Sequence, residues 1–496
     1  MARVTAVIDI GSNSARMALF ERTSRYGFHL LKEIKSRARI SENAYKNGGT
    51  LQPAATLRAK NALGDFAKLA KSYGARKIIA VATSAVRDAP NRLDFLRETK
   101  EATGLQIRVI GGEEEAKLGG IAAANLLAVQ EGVTIDIGGG STELALVKNG
   151  AVVEAVSFNL GTVRLKELFF DEARNIKGAT RFIEETLKNL PASFASERII
   201  GVGGTMRALA DSIIKMENYP FGALHGFTFS LRGRDDFFDR IIKSDFGGLK
   251  NLGFKPERFD VIREGTLIFK IVAKTICAKE AITSGAGVRE GAFLKDLLRS
   301  SGGKLPNGVA PSLVSLLDRF GDDRKQTRWL ATNAARLFET LRPLHKLDDG
   351  WQKPLIAAAK LIGTGAAIDP YYPSEQESLL AKNGLSYGFT HSDRLLIAAL
   401  LKIRRKKELI AWNPPKNLEK LLPEAKTAKW LALILLIAQT INVARDRPKI
   451  DCLLDGSILL IANVSYLGAE AFERFKPPFD LVIKIDRPAI APKRRR

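Results

Sequence analysis

The stretch "VIDIGSNSARM", residues 7–17, runs a β-branched strand into Asp9 and then at once into Gly11, Ser12, Asn13 and Ser14. An acid, a glycine and small polar residues at a strand's end make a poor core and a good cradle for an anion. Glycine lets backbone N–H groups approach an oxyanion closely, and serine and asparagine add donors beside them. Residues 133–144, "VTIDIGGGSTEL", repeat the pattern with Asp136 and a glycine turn ending at Ser141.

The order of elements repeats around these two stretches. Strands are expected near 3–9, 15–22 and 28–35, a helix near 53–73, a strand "KIIAVA", a helix near 91–102, a strand "IRVI" and a helix from about 113. From Val133 the series begins again with "VTIDI", "ELALVK" and "AVVEAVS", then helices, "RIIGVGG", more helices, "AITSG" and a helix near 288–299. "VATSAVRDA" in the first half resembles "VGGTMRALA" in the second, with Arg87 and Arg207 at matching places. The chain therefore contains a duplicated βββαβαβα unit, an α/β fold. After the glycine- and proline-rich "RSSGGKLPNG", residues 299–308, the period becomes helical to about residue 440, and a last short region alternates like strands of a small α+β domain. The expected division is 1–124, 125–303, 304–442 and 443–496.

A length of 496 residues asks for several cores, and 45% hydrophobic residues support folded domains. The apolar "WLALILLIAQTINVA", residues 430–444, is too short for a membrane span and reads as a buried helix. Two cysteines, Cys277 and Cys452, in apolar surroundings and a start without a signal pattern suit a reducing cytoplasm. The net charge of +23 points to a polyanionic partner, with positive charge denser after residue 300. "KIRRKKE" (402–408) and "PKRRR" (492–496) are the visible clusters, and each also reads as a solvated face or a basic tail.

Phosphate is the natural guest of two glycine turns, but a carboxylate in the same cradle repels it unless a divalent cation lies between them. Asp136 with Glu143 therefore suggests Mg2+ held by oxygen ligands and substrate phosphate. Arg16 and Arg87 follow the turns and supply positive charge for a phosphoryl group. "GGEEEAKL" places Glu113, Glu114 and Glu115 at the start of a helix, where one could act as a base and any of them also stabilises the helix dipole. The residues alone leave that choice open.

The segments "DIGSNSARM", "ATSAVRDAPN", "IGGEEEAKLGG", "TIDIGGGSTEL", "SFNLGTVRLKE", "GVGGTMRAL", "HGFTFS" and "TSGAGVREG" together resemble the exopolyphosphatase/guanosine pentaphosphate phosphohydrolase family. The resemblance implies duplicated ribonuclease-H-like domains of the actin, sugar kinase and Hsp70 superfamily, a helical domain related to HD phosphohydrolases and a small α+β domain. It also implies an exopolyphosphatase releasing orthophosphate from inorganic polyphosphate, or a guanosine pentaphosphate 5′-phosphohydrolase. By the same resemblance Glu115 is the general base, and Asp136 and Glu143, with Asp9 nearby, hold Mg2+, a monovalent cation such as K+ being a possible companion. Asn13, Ser14, Arg16, Arg87, Gly138, Gly139, Gly140, Ser141, Thr142, Arg164, Gly203, Gly204 and Thr205 become phosphate contacts, while His225 is expected to make a structural hydrogen bond. A cytoplasmic homodimer without membrane contact is the implied setting, and a long chain is expected to run on toward the basic C-terminal region. A non-catalytic polyanion binder is the alternative of another class. The departure is "AAAKLIGTGAAIDP", which has apolar residues or glycine where an HD hydrolase keeps its His-Asp pair. His345 and His391 then read as helix-terminal or surface residues.

Overall fold

Every residue of strand β1 (Arg3–Ile10) has a paired neighbour on β2 (Ala15–Arg22), and those from Thr5 onward also have one on β4 (Lys77–Ala82), while β3 (Phe28–Ser36) pairs with the other side of β2. That central position explains why Ala6, Val7 and Ile8 are all fully buried, rather than alternating as an edge strand would. The computed structural model describes residues 3–44, 47–171, 174–321, 323–404, 406–473 and 475–486. It divides at Pro311 into two compact units.

In the first unit, β5 (Ile107–Val109) completes a five-stranded sheet in the order β3-β2-β1-β4-β5. Helix Pro53–Ser72 packs against it. Proline stands at the helix's first turn, and Ala55, Ala59, Leu63, Phe66 and Ala70 form one buried stripe. The second sheet takes β6 (Gly132–Ile137), β7 (Thr142–Lys148), β8 (Ala151–Phe158), β9 (Arg198–Val202), β10 (Thr228–Ser230) and β11 (Glu280–Thr283) in the order β10-β11-β9-β6-β7-β8. The same topology appears twice, as the repeated motifs require. β10 is an addition. It pairs antiparallel at the edge of β11 through only three residues of "HGFTFS", too few for a period to show in sequence.

Two helices tie the lobes together. Helix Gly112–Leu126 follows the last strand of the first sheet yet packs on β7 and β8 of the second, while helix Val288–Leu297 packs back on β1 and β2. Phe293 stacks on Phe20 at 4.6 Å. A Cβ at Gly291 would lie 1.9 Å from the Leu118 carbonyl oxygen, so glycine is what lets these two helices approach.

One feature of the second lobe is costly. Glu264, in helix Ile262–Thr275, is fully buried, and among the described residues no other residue hydrogen-bonds to its carboxylate oxygens. Burial pushes its carboxyl up to about 7, with Arg263 and Lys166 only partly offsetting this and Asp171 adding to it. The folded chain therefore holds a proton that the unfolded chain releases near pH 4.5, so this contribution to stability is complete below that pH and is lost as the pH rises through about 7. Glu264→Gln is expected to be the more stable chain at pH 8, by on the order of 3 kcal/mol, with the gap closing toward pH 4.5. Denaturant midpoints measured across that range check it.

The second unit is helical up to residue 441, with a small sheet of β12 (Asp451–Asp455), β13 (Ile458–Ala462) and β14 (Val482–Ile485) flanked by helix Tyr466–Glu473. Helix Ala425–Ile441 lies at its centre, buried almost all round as its run of apolar residues requires. No helix among the described residues is long and apolar enough to cross a membrane.

The helix-terminal reading of the two histidines holds, while the solvated face of "KIRRKKE" holds only in part and the apolar setting of Cys277 does not. His345 and His391 do sit at helix termini, but they are only 6% and 3% exposed, and His345 Nε2 meets the Phe338 carbonyl oxygen at 2.8 Å. Within "KIRRKKE", Arg404 is buried against Glu377 at 2.6 Å and Lys402 pairs with Glu375 at 3.2 Å. The side chains of residues 405–407 and the tail 492–496 lie outside the described residues. Cys277, expected in apolar surroundings, is exposed in a turn at φ +62°, and both cysteines are free.

Candidate active site

The two glycine turns are built alike. The Gly11 amide donates to the Ser14 carbonyl at 3.2 Å and the Gly138 amide to the Ser141 carbonyl at 2.9 Å, closing each hairpin. None of the amides of Ser12, Asn13, Gly139 and Gly140 has an acceptor among the described residues, so these donors remain available to an oxyanion. The turns meet. A Cβ at Gly139 would stand 2.7 Å from Ser12 Cβ, and Gly161 lies so close beneath that its Cβ would fall 2.3 Å from the Gly139 carbonyl oxygen.

They close on a cavity of about 150 Å3 lined by four carboxylates, Asp9, Glu115, Asp136 and Glu143, and by five cations, Arg16, Lys35, Arg207, Arg258 and Arg289. Strand pairing sets much of this. Asp136 lies directly opposite Glu143 on β7, and Asp9 opposite Arg16 on β2.

The direction of helix Gly112–Leu126 brings one of the three glutamates to the cavity. Glu113 is 72% exposed beside Lys117, and Glu114 is bound by Arg108 at 2.9 Å and Lys295 at 2.7 Å. Glu115 alone lines the cavity, only 12% exposed, and accepts from Arg87 Nη1 at 3.2 Å. Burial raises the Glu115 carboxyl well above its ordinary range, and Glu143, Asp9 and Asp136 add to this. Glu143, 2% exposed, is pushed up by burial to about 8, although the Ser141 and Ser157 hydroxyls bond to it, Ser157 at 2.9 Å. Burial lifts Asp9 to about 6 against the pull of Arg289, and raises Asp136 against that of Arg207. A cluster in which burial pushes four carboxyls upward, with neighbouring carboxylates adding to it at Asp9, Glu115 and Glu143, is built to receive positive charge.

Of the other expected phosphate contacts, Asn13, Ser14, Arg16, Gly138, Gly139, Ser141, Gly203, Gly204 and Thr205 line the cavity. Gly140, Thr142, Arg87 and Arg164 do not; Arg87 bonds a residue that does, and the bonds of Thr142 and Arg164 lie behind the second turn. Arg87 grips Glu115 and the Ile110 carbonyl at 3.3 Å, Arg164 Nε donates to the Gly140 carbonyl at 3.0 Å, and the Thr142 hydroxyl donates to the Leu160 carbonyl at 2.5 Å. His225 makes the expected structural bonds, with Nδ1 accepting from the Gly285 amide at 3.0 Å and Nε2 meeting the Leu126 carbonyl at 3.1 Å.

Sequence reasoning missed four cations. Arg289, 5% exposed and bound to Glu33 at 2.8 Å, stands inside "TSGAGVREG", and Arg207 occupies the place matching Arg87, so both carried a signal in the motifs. Lys35 and Arg258 carried none. A neighbouring cavity of about 220 Å3 shares Lys35 and Arg258 with the first and adds Arg37 and Arg39.

A duplicated α/β fold whose matched glycine turns close on buried carboxylates and arginines defines a protein that handles phosphoryl groups. Residues 19–300 match the Ppx/GppA phosphatase family, and the chain belongs to that family. It is 25% identical over 469 residues to the guanosine-5′-triphosphate,3′-diphosphate pyrophosphatase of Vibrio parahaemolyticus, over 92% of this chain and 91% of that one. It is 30% identical over 283 residues to the bifunctional 3-dehydroquinate synthase/phosphatase of Fusobacterium nucleatum, which covers 53% of this chain but only 42% of that relative's length. Among solved structures, a Ppx/GppA family member from Aquifex aeolicus aligns with a TM-score of 0.51 at 26% identity, over 61% of this chain and 99% of its own. An exopolyphosphatase from Cytophaga hutchinsonii shares the fold with a TM-score of 0.55 at 22% identity, over 60% of this chain and 98% of its own.

Proposed function

We propose that this family phosphatase is an exopolyphosphatase, hydrolysing the terminal phosphoanhydride of inorganic polyphosphate to orthophosphate and a chain one unit shorter. The observation that carries the reading is Glu115, the one glutamate of three that enters a cavity lined by two amide-rich turns. Its carboxylate takes a proton from water as the water oxygen bonds to the terminal phosphorus, and the bridging P–O bond breaks toward the shortened chain. Arg16, Arg207 and Arg289 with the turn amides offset charge on the transferring group. Arg87 holds Glu115 in place.

The donor set fits Mg2+ in a restricted sense. Among the described residues no group of three or more His, Cys, Asp or Glu side chains is placed to hold a metal by itself. Asp136 and Glu143, facing each other across β6 and β7, instead supply the one or two carboxylates that Mg2+ takes when substrate phosphate and water complete its shell, with Asp9 beside them. When bound, the ion would neutralise charge on the leaving phosphates. Phosphate release is therefore expected to fall to background on chelation and to return with Mg2+, as a colorimetric phosphate assay would read.

A chain substrate is favoured by Lys35 and Arg258, which line both cavities, whereas Arg37 and Arg39 in the second are paired with Glu257 at 3.2 Å and Asp260 at 3.3 Å. Neither cavity is lined by an aromatic ring among the described residues, and an inorganic chain needs none. Lys35 makes this measurable. Burial, together with Arg16, Arg258 and Arg37, lowers its ammonium to about 8, so the free enzyme loses a cation above that pH. KM for long-chain polyphosphate is expected to rise severalfold between pH 7 and 9.5, and Lys35→Met is expected to flatten that rise while raising KM at pH 7.

The second reading is removal of the 5′ phosphate of guanosine pentaphosphate in the same site, favoured by the Vibrio relative that matches nearly end to end. Phosphate release from both substrates side by side separates them, and a larger kcat/KM on the nucleotide would overturn the first reading. The helical second unit is read as an HD-like domain without a second catalytic centre, since "AAAKLIGTGAAIDP" has apolar residues or glycine where an HD hydrolase keeps its His-Asp pair. A cytoplasmic homodimer is the proposed setting.

A further inference from the structure

At the end of β1 remote from Asp9 the first unit has a second cleft, of about 640 Å3, lined by Arg3, Arg22, Arg25, Arg76, Lys77 and Arg299. Strand pairing brings these side chains together. Arg3 is the cross-strand neighbour of Arg22, Lys77 lies beside Thr5, and the Arg76 amide donates to the Val4 carbonyl at 3.0 Å. Arg299 arrives from the turn that ends helix Val288–Leu297. Arg3 and Asp9 are six residues apart on one strand, so roughly 20 Å separates this cleft from the carboxylates.

The charge there is unbalanced. Asp296 is the one carboxylate in the lining, and it is already taken by Lys77 at 2.5 Å. Among the described residues Arg3, Arg22, Arg25, Arg76 and Arg299 make no ion pair; Arg22 reaches only the Ser24 carbonyl, at 2.8 Å, and Arg25 lies over the Tyr26 ring. Five arginines held around one concave surface repel one another in the empty cleft, and an anion relieves that repulsion. Guanidinium groups offer paired donors in a fixed fork that matches phosphate oxygens. An excess of about five positive charges in this volume asks for an anion of high charge density, which a run of linked phosphates has and an acidic peptide does not.

We propose that this cleft is a second binding site, distinct from the candidate active site, for an oligophosphate anion, either inorganic or carried by a nucleoside. The proposal does not rest on the activity assigned to the first cavity. It uses residues that take no part in that cavity, so the two can fail separately.

The test is equilibrium binding of tripolyphosphate, orthophosphate and guanosine pentaphosphate to the full chain without added divalent metal. Wild type is compared with Arg3→Ala/Arg76→Ala/Arg299→Ala, three exposed positions, and with Arg25→Glu/Arg299→Glu, one in a bend and one in a single 3-10 turn. Each variant is expected to lose one equivalent of bound tripolyphosphate per chain, or to bind it at least tenfold more weakly at that site. Turnover of a short substrate should stay within twofold of wild type and the melting temperature should be unchanged. Stronger competition by tripolyphosphate identifies the inorganic chain as occupant, and stronger competition by guanosine pentaphosphate identifies the nucleotide. Unchanged binding in both variants overturns the proposal, as does orthophosphate binding as tightly as tripolyphosphate, or single-stranded RNA displacing both at lower concentration.

Discussion

Glu115→Gln is expected to lower kcat for phosphate release by 10²–10⁴-fold while leaving substrate affinity and melting temperature close to wild type. Glutamine keeps the volume and one oxygen, so Arg87 retains an acceptor where it now finds Glu115 at 3.2 Å, but the group that takes the proton from water is gone. The matched controls are its neighbours. Glu113→Gln and Glu114→Gln change the same helix turn, one at an exposed side chain and one in a surface pair with Arg108 and Lys295, and both should retain kcat. A non-catalytic polyanion binder predicts the opposite, with all three variants binding and behaving alike. Loss of activity in Glu114→Gln but not in Glu115→Gln would remove the proposed mechanism.

Gly203→Ala is the second large effect. Gly203 opens helix Gly203–Met216 at φ +80°, where a side chain is strained, and its Cβ would stand 2.2 Å from Asp136 Oδ1. Accommodating it requires the Asp136 carboxylate to leave its present position opposite Glu143 or the β9 end to shift, and either disturbs the proposed Mg2+ pair. An activity loss of about 10²-fold is expected from a displacement on the order of 1 Å, together with about 1–3 kcal/mol of stability. Gly233→Ala separates the two causes. It has a similar φ of +76° but nothing within 4 Å of its Cβ, so it should show the backbone cost alone, with activity intact. Equal activity losses in both variants would mean that contact with Asp136 is not what matters.

Much of the site was legible because its determinants are local. β-branched alternation, an acid at the strand end and a glycine turn are each properties of about ten contiguous residues, and finding them twice exposed the duplication that the two sheet orders bear out. The buried helix Ala425–Ile441 was legible for the same reason, since its apolar run leaves no polar face to turn outward. Arg289 and Arg207 were within reach because they lie inside recognisable motifs. Lys35 and Arg258 were not. Each is an ordinary cation on its own element, and only the fold brings them to one cavity.

What the chain's order of residues determined by itself is the repeated α/β topology, the two anion-ready turns and the acids near them, because turn chemistry and hydrophobic period act between near neighbours. The resemblance singled out Glu115, but only the tertiary structure shows it entering the cavity while Glu113 and Glu114 do not, which lobe each connecting helix packs against and which histidines are buried. Those outcomes depend on contacts between separate elements, such as helix Gly112–Leu126 with β7 and β8 or Lys295 with Glu114, where one helix rotation or one strand register sends a side chain to solvent or to the site.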